Sequence, residues 1–173
     1  MKKIVTRTIS IIVFLLILLL IVLSYRKIEE KKTTKLNIQR LYDFCAFSIG
    51  DNQEFCTKSL QNKSVFILFM DPDCDFCQEE VKQIKERNYV LQDVSILLIT
   101  IASPKNAIDF YSRYQLNQFN NIKLLLDENA KISIYYDIKT IPTIFIYDKN
   151  KELTFSHNGE IQVDAFIHYF NKY

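Results

Sequence analysis

Apolar and polar positions follow three different rhythms along this chain. From Ile11 to Leu23 every residue is apolar, and no charge interrupts the 18 residues between Arg7 and Arg26. At about 1.5 Å per residue such a helix reaches roughly 27 Å, enough to cross a hydrocarbon core with the flanking Arg and Lys side chains snorkelling outward. No small-x-small cleavage site follows it, and no cysteine stands close behind, so an uncleaved transmembrane anchor over residues 8–25 is expected, after a short tail at 1–7. Residues 26–35 are charged and carry no apolar period, which reads as a tether. A folded domain over residues 36–173 follows.

Within that domain two compact apolar runs, Ser64–Met70 and Val94–Ile101, read as strands buried on both faces. From Asp75 to Arg87 the pattern is polar with Val81 and Ile84 on one side, as in an amphipathic helix. Ser103 before Pro104 forms a helix start, predicting a helix to about Leu116. Ile122–Leu126 reads as a strand and Ala130–Tyr136 as a short helix. Thr143–Tyr147 and Leu153–His157 flank Asp148-Lys149-Asn150-Lys151 as a hairpin, and Ile161–Phe170 closes the chain as a helix. Strands alternating with helices predict an α/β fold, a central mixed sheet flanked by helices with its last two strands antiparallel.

Charge separates the two parts. Residues 1–35 hold eight basic and two acidic side chains, a net +6, whereas residues 36–173 hold 14 basic and 18 acidic, a net −4. The domain offers no basic stripe for a phosphate backbone, so nucleic acid is not an expected partner. Basic residues flank the apolar run on both sides, and the positive-inside rule does not orient it. Two glycines in the whole chain leave no material for a glycine-rich phosphate loop.

All four cysteines, Cys45, Cys56, Cys74 and Cys77, lie outside the apolar run. Cys74-Asp75-Phe76-Cys77 follows a buried strand and opens a helix. The helix dipole and the free N–H groups of the first turn stabilise a thiolate at Cys74, and the three-residue spacing lets Cys77 close a disulfide with it. Cys45 and Cys56, eleven apart, are outside zinc-knuckle spacing. They either bridge the first strand pair or stay as two buried thiols. Asp71, Asp73 and Asp75 mimic the start of an EF-hand, but Phe76 and Lys82 stand where glycine and a bidentate glutamate are needed. No metal is expected. His157 and His168 are isolated in strand and helix patterns and read as ordinary surface or core residues.

Val65–Phe69, Cys74-Asp-Phe-Cys77, Tyr136-Asp-Ile-Lys-Thr-Ile-Pro142-Thr143 and the following hairpin with Gly159 together resemble the thioredoxin superfamily over residues 40–172. Sixty-five positions separate Cys77 from Pro142. That exceeds a plain thioredoxin by about one strand–helix unit of ~25 residues. Such an insertion, an N-terminal strand pair like Phe47–Cys56 and a glutamate at position 80 resemble the membrane-anchored TlpA/ResA-type thiol–disulfide oxidoreductases. The resemblance implies a substrate-pairing cis-proline loop at Ile141, Pro142 and Thr143, with Glu80 as a proton relay. It also implies a single-pass bacterial cytoplasmic-membrane protein with its domain on the extracytoplasmic side. Its partners would be protein disulfide clients and an upstream membrane electron donor.

Asp73 stands where members usually have tryptophan, Lys82 where they have proline, and Leu68 where cytoplasmic thioredoxins bury an acid. The three aspartates around Cys74 disfavour a thiolate, and a less stabilised thiolate makes a less oxidising disulfide. Ile141 before the proline resembles reductases. The expected reaction is attack by Cys74 on a client disulfide and resolution by Cys77, with no organic cofactor. Two other readings compete: a non-catalytic binding module with a structural Cys74–Cys77 bridge, and a peroxiredoxin-like peroxidase. A peroxidase needs threonine three before its reactive cysteine, and Asp71 and Cys74 occupy those positions before Cys74 and Cys77.

Overall fold

The computed structural model describes residues 14–26 and 38–170. The chain divides into two units between Asn37 and Ile38. In the first, residues 14–26 form a helix with every side chain exposed. Among the described residues no helix is long and apolar enough to cross a membrane. Residues 8–13 of the expected anchor, the tail at 1–7 and the tether from 27 onward lie outside them.

The second unit is built on one seven-stranded sheet. Its strands are β1 (Cys45–Ser48), β2 (Gln53–Cys56), β3 (Ser64–Phe69), β4 (Val94–Thr100), β5 (Ile122–Leu126), β6 (Thr143–Tyr147) and β7 (Leu153–Asn158), in the order β2-β1-β5-β4-β3-β6-β7. β3, β4 and β5 run parallel, and β1, β2, β6 and β7 add antiparallel pairs at either side. Every residue of β3 and β4 is buried, because both faces of the central sheet are covered.

The covering helices are α1 (Asp75–Glu86), α2 (Pro104–Arg113), α3 (Lys131–Tyr135) and α4 (Val163–Phe166). One face of the sheet, with Phe66, Leu68, Ile96, Leu98 and Leu124, packs on α1, α2 and α4. The other, with Val65, Ile67, Phe69, Leu97 and Leu125, packs on Phe44, on Ile132 of α3 and on Tyr136 just beyond it.

Two helices are shorter than their apolar patterns predict. α2 keeps its cap, Ser103 Oγ accepting the Asn106 N–H at 3.2 Å, but stops at Arg113. Gln115 adopts φ 52°, which an α-helix cannot accommodate, and Leu116–Gln118 turns as a 3-10 segment. The C-terminal helix is α-helical only over Val163–Phe166 and continues as a 3-10 helix through Ile167–Phe170. Three-residue spacing of its buried Val163 and Phe166 suits either winding.

Candidate active site

The loop leaving β3 carries the dithiol. Asp71 Oδ1 accepts the Asp73 N–H at 2.8 Å, and the Asp71 carbonyl accepts the Cys74 N–H at 3.1 Å, a tight turn that delivers Cys74 to the N-cap of α1. Two further bonds hold the loop down: Gln78 Nε2 donates to the Pro72 carbonyl at 2.9 Å, and the Tyr114 hydroxyl donates to Gln78 Oε1 at 3.1 Å. Asn106, at the start of α2, donates to Asp73 Oδ2 at 3.3 Å. Nothing in the sequence marks Gln78, Asn106 or Tyr114 as supports, since each reaches the loop from a distant element or from inside α1.

The two cysteines are free thiols with unequal surroundings. Cys74 is half-buried at the helix start, and its sulfur accepts the Cys77 N–H at 3.4 Å. Cys77 is wholly buried. The periodicity of α1 explains the difference: Cys77, Glu80, Val81 and Ile84 are its buried residues, and their spacings of three and four place them on one core-facing stripe. Burial, and then the hydrogen bond to Cys74, push the Cys77 thiol far above the ordinary range.

Glu80 is the only acid on that stripe. It is 1% exposed, and neither carboxyl oxygen has a hydrogen-bond partner among the described residues. Burial raises its pKa from about 4.5 to about 8, and the charge of Glu160 adds to the rise. Its field is felt at Cys77. Glu160, in the segment after β7, carries no local signal of this relation in the sequence.

Across from the dithiol, the Ile141–Pro142 peptide bond is cis. β3 and β6 are antiparallel with Phe69 opposite Thr143, so β3 exits and β6 enters at one end of the sheet. That register brings the Asp71–Cys74 turn and the Ile141–Pro142 loop side by side. The three loop residues differ in what they offer. Ile141 is exposed, and its backbone N–H and carbonyl have no partner among the described residues. Pro142 is buried, and its carbonyl accepts the Gly159 N–H at 2.8 Å. Thr143 is buried too, its hydroxyl lying 2.7 Å from the Thr140 carbonyl and 3.2 Å from Asn158 Oδ1. Thr143 locks the loop, and Ile141 presents it. An apolar groove of about 230 Å³ adjoins, lined by Met70, Ile101, Ile138 and Ile141 among others.

Cys45 and Cys56 are joined by a disulfide at the open end of the β1–β2 hairpin, S–S 2.01 Å. The register makes them direct cross-strand partners.

A family model described as the AhpC/TSA family matches residues 39–156. The chain belongs to that family. The matched segment runs from before the disulfide hairpin to β7 and takes in both the dithiol and the cis-proline loop. Two curated relatives are named thiol–disulfide oxidoreductase ResA. The one from Geobacillus thermodenitrificans is 27% identical over 154 residues, 86% of this chain and 83% of that protein. The one from Geobacillus kaustophilus is 28% identical over 96 residues, 54% of this chain and about half, 53%, of that protein's length. Among solved structures, a secreted Mycobacterium tuberculosis disulfide oxidoreductase homologous to E. coli DsbE is similar with TM-score 0.64 and 22% identity, over 77% of this chain and 95% of that one. The exposed lipoprotein thioredoxin of Streptococcus pneumoniae is similar with TM-score 0.62 and 21% identity, over 76% of this chain and all of that one. These likenesses establish a thioredoxin-like fold.

Proposed function

We propose that this protein is a membrane-anchored, extracytoplasmic thiol–disulfide oxidoreductase that reduces protein disulfides. The carrying observation is the asymmetry of the dithiol: an accessible Cys74 at a helix N-terminus, with Cys77 buried one turn behind it. Cys74 as thiolate attacks one sulfur of a client disulfide, forming a mixed disulfide and releasing the other client sulfur as a thiolate that takes up a proton. Cys77 then loses its proton, attacks Cys74 and releases the client's second thiol. The departing proton needs a nearby acceptor, and Glu80, on the same buried stripe of α1, takes it in its deprotonated form, which its raised pKa makes the stronger base. The client chain lies along Ile141, whose backbone N–H and carbonyl are free to pair with it.

Reduction as the working direction rests on Ile141 before the cis-proline, a pattern that resembles reductases. The membrane setting rests on the apolar run at residues 8–25 and on likeness to ResA proteins. The oxidised pair must be returned to the dithiol by an upstream electron donor, and the redox group is the cysteine pair itself.

The reduction potential of the Cys74–Cys77 pair, measured in a Cys45→Ser/Cys56→Ser variant against thiol buffers, tests this. A reversible value between about −120 and −270 mV is expected, in the lower half for a reductase. A pair poised below roughly −300 mV, or one that does not exchange, makes the bridge structural and the domain a binding module.

A further inference from the structure

We propose that the Cys45–Cys56 disulfide is a second thiol-exchange site, which accepts electrons from the Cys74–Cys77 dithiol of a second copy of this chain. The proposal rests on the exchange chemistry just assigned to that dithiol.

Three observations carry it. The first is position. Phe47 pairs with Leu126, Leu126 with Thr100 and Ile99 with Phe69. Carried past the strand ends, this register sets Cys45 level with Pro72, two residues before Cys74. Three strand spacings, roughly 14 Å, lie between them. Cys45 shares the face of Phe47, which is also the face of Leu126 and of the α1 and α2 core. Both sulfur pairs therefore sit on one end and one face of the sheet, too far apart to react within a molecule.

The second is access. Cys45 is exposed, only Phe47 and Ser48 of β1 pair with β5, and the disulfide end of the hairpin projects beyond that pairing. It borders an open cavity of about 350 Å³ at the end of the sheet, lined by Glu54 and Glu128 and, around the edge on the α3 side, by Lys131 and Ile132.

The third is redundancy. The hairpin is tied by more than the disulfide. Directly behind it, buried Thr57 accepts the Phe44 N–H at 3.0 Å on Oγ1, and its hydroxyl donates towards the Tyr42 carbonyl at 3.2 Å. The Thr57 N–H donates to the Phe44 carbonyl at 3.0 Å. With Cys45–Ser48 already paired to Gln53–Cys56, the sulfur–sulfur bond opens and closes without releasing either strand.

The exchange balances. Cys74 thiolate of one copy attacks Cys45 of the other, the Cys45–Cys56 bond breaks, and Cys56 leaves as a thiolate that takes up a proton. Cys77, giving up its proton, attacks Cys74, and Cys45 leaves as the second thiol. Two electrons and two protons pass from one pair to the other.

The test uses two full-length variants. The donor, Cys45→Ser/Cys56→Ser, is reduced with dithiothreitol and freed of it. The acceptor, Cys74→Ser/Cys77→Ser, keeps its closed bridge. They are mixed, quenched in acid, alkylated and weighed. The acceptor is expected to gain two thiols as the donor loses two, at least tenfold faster than glutathione at the same thiol concentration reduces the acceptor. The reduced acceptor is expected to keep its near-UV circular dichroism. A donor that also carries Cys77→Ser is expected to stop at a Cys74–Cys45 link.

An acceptor that stays closed, or opens no faster than with glutathione, while the donor still reduces insulin, overturns the proposal and leaves the function above intact. Collapse of the acceptor's tertiary signal on reduction overturns it too, because the bond is then a structural staple. A link mapped to Cys56 overturns Cys45 as the attacked sulfur. A donor that reduces neither insulin nor the acceptor overturns both readings together.

Discussion

The backbone N–H of Cys77 donates to the sulfur of Cys74 across 3.4 Å, so the residue proposed to resolve the mixed disulfide also steadies the residue proposed to start it. The bond exists because Cys74 is the N-cap of α1 and Cys77 is the third residue of its first turn. A side chain at that cap faces N–H groups that the helix itself leaves unpaired.

This asymmetry separates the two thiols in reactivity. In the reduced protein at pH 7, iodoacetamide is expected to modify Cys74 readily and Cys77 only after unfolding, since Cys77 is fully buried and its thiol is pushed far up. Peptide mapping after timed quenching checks it. Equal labelling of both residues would contradict the assignment of attacking and resolving roles. Cys77→Ser is expected to accumulate mixed disulfides with clients and Cys74→Ser to accumulate none.

Glu80 links stability to pH. Its pKa is raised on folding from about 4.5 to about 8, so folding takes up a proton between those values. The contribution is whole below about pH 4.5 and is lost as pH rises, at about 1.4 kcal/mol per unit, until it levels off above the folded pKa. Glu80→Gln is expected to remove this slope and to leave the variant more stable than the parent at pH 8.5, as read from urea midpoints at pH 5 and 8.5. The same change is expected to slow resolution of the mixed disulfide by about 10²-fold, the scale of a lost general base. Stopped-flow measurement of client release reads this step apart from stability.

Asp127 is expected to be a strong stability determinant. The residue is 4% exposed, and its carboxyl accepts the Ile132 N–H at 3.1 Å, the Ser133 N–H at 2.8 Å and the Ser133 hydroxyl at 2.8 Å. These bonds fix the start of α3, from which the chain runs on to the cis-proline loop. Asp127→Ala leaves three donors without a partner and is expected to cost about 2–4 kcal/mol in equilibrium unfolding. Asp127→Asn, which keeps an acceptor oxygen, is expected to cost less.

Thr57→Val tests the clasp behind the hairpin disulfide. Valine keeps the volume and deprives the Phe44 N–H of its side-chain acceptor. A loss of about 1–3 kcal/mol is expected. With Cys45 and Cys56 reduced the loss is expected to grow, because bond and clasp hold the same two strands. Denaturation under oxidising and reducing conditions compares the two states.

Much of this protein is legible in short-range pattern. The apolar runs of Val65–Phe69 and Ile96–Ile99 announce strands buried on both faces. The spacing of Val81 and Ile84 in a polar stretch announces a helix and its inward side. Cys74-Asp-Phe-Cys77 before that helix, with Ile141-Pro142-Thr143 further on, announces a dithiol and the loop that accompanies it. These properties depend on neighbours a few residues away, and side-chain periodicity records them directly.

What only the tertiary structure decided depends on register and depth. Cys45 and Cys56 are bonded because the β1–β2 register sets them opposite each other, a relation their spacing of eleven left open. Thr143 turns into the protein because β6 is covered on both faces. The state of Glu80 follows from how completely the folded domain buries it and from the charge of Glu160. Dielectric surroundings and strand register are sums over residues far apart in the chain. No local window of sequence holds that sum, so these features appear only once the chain is folded.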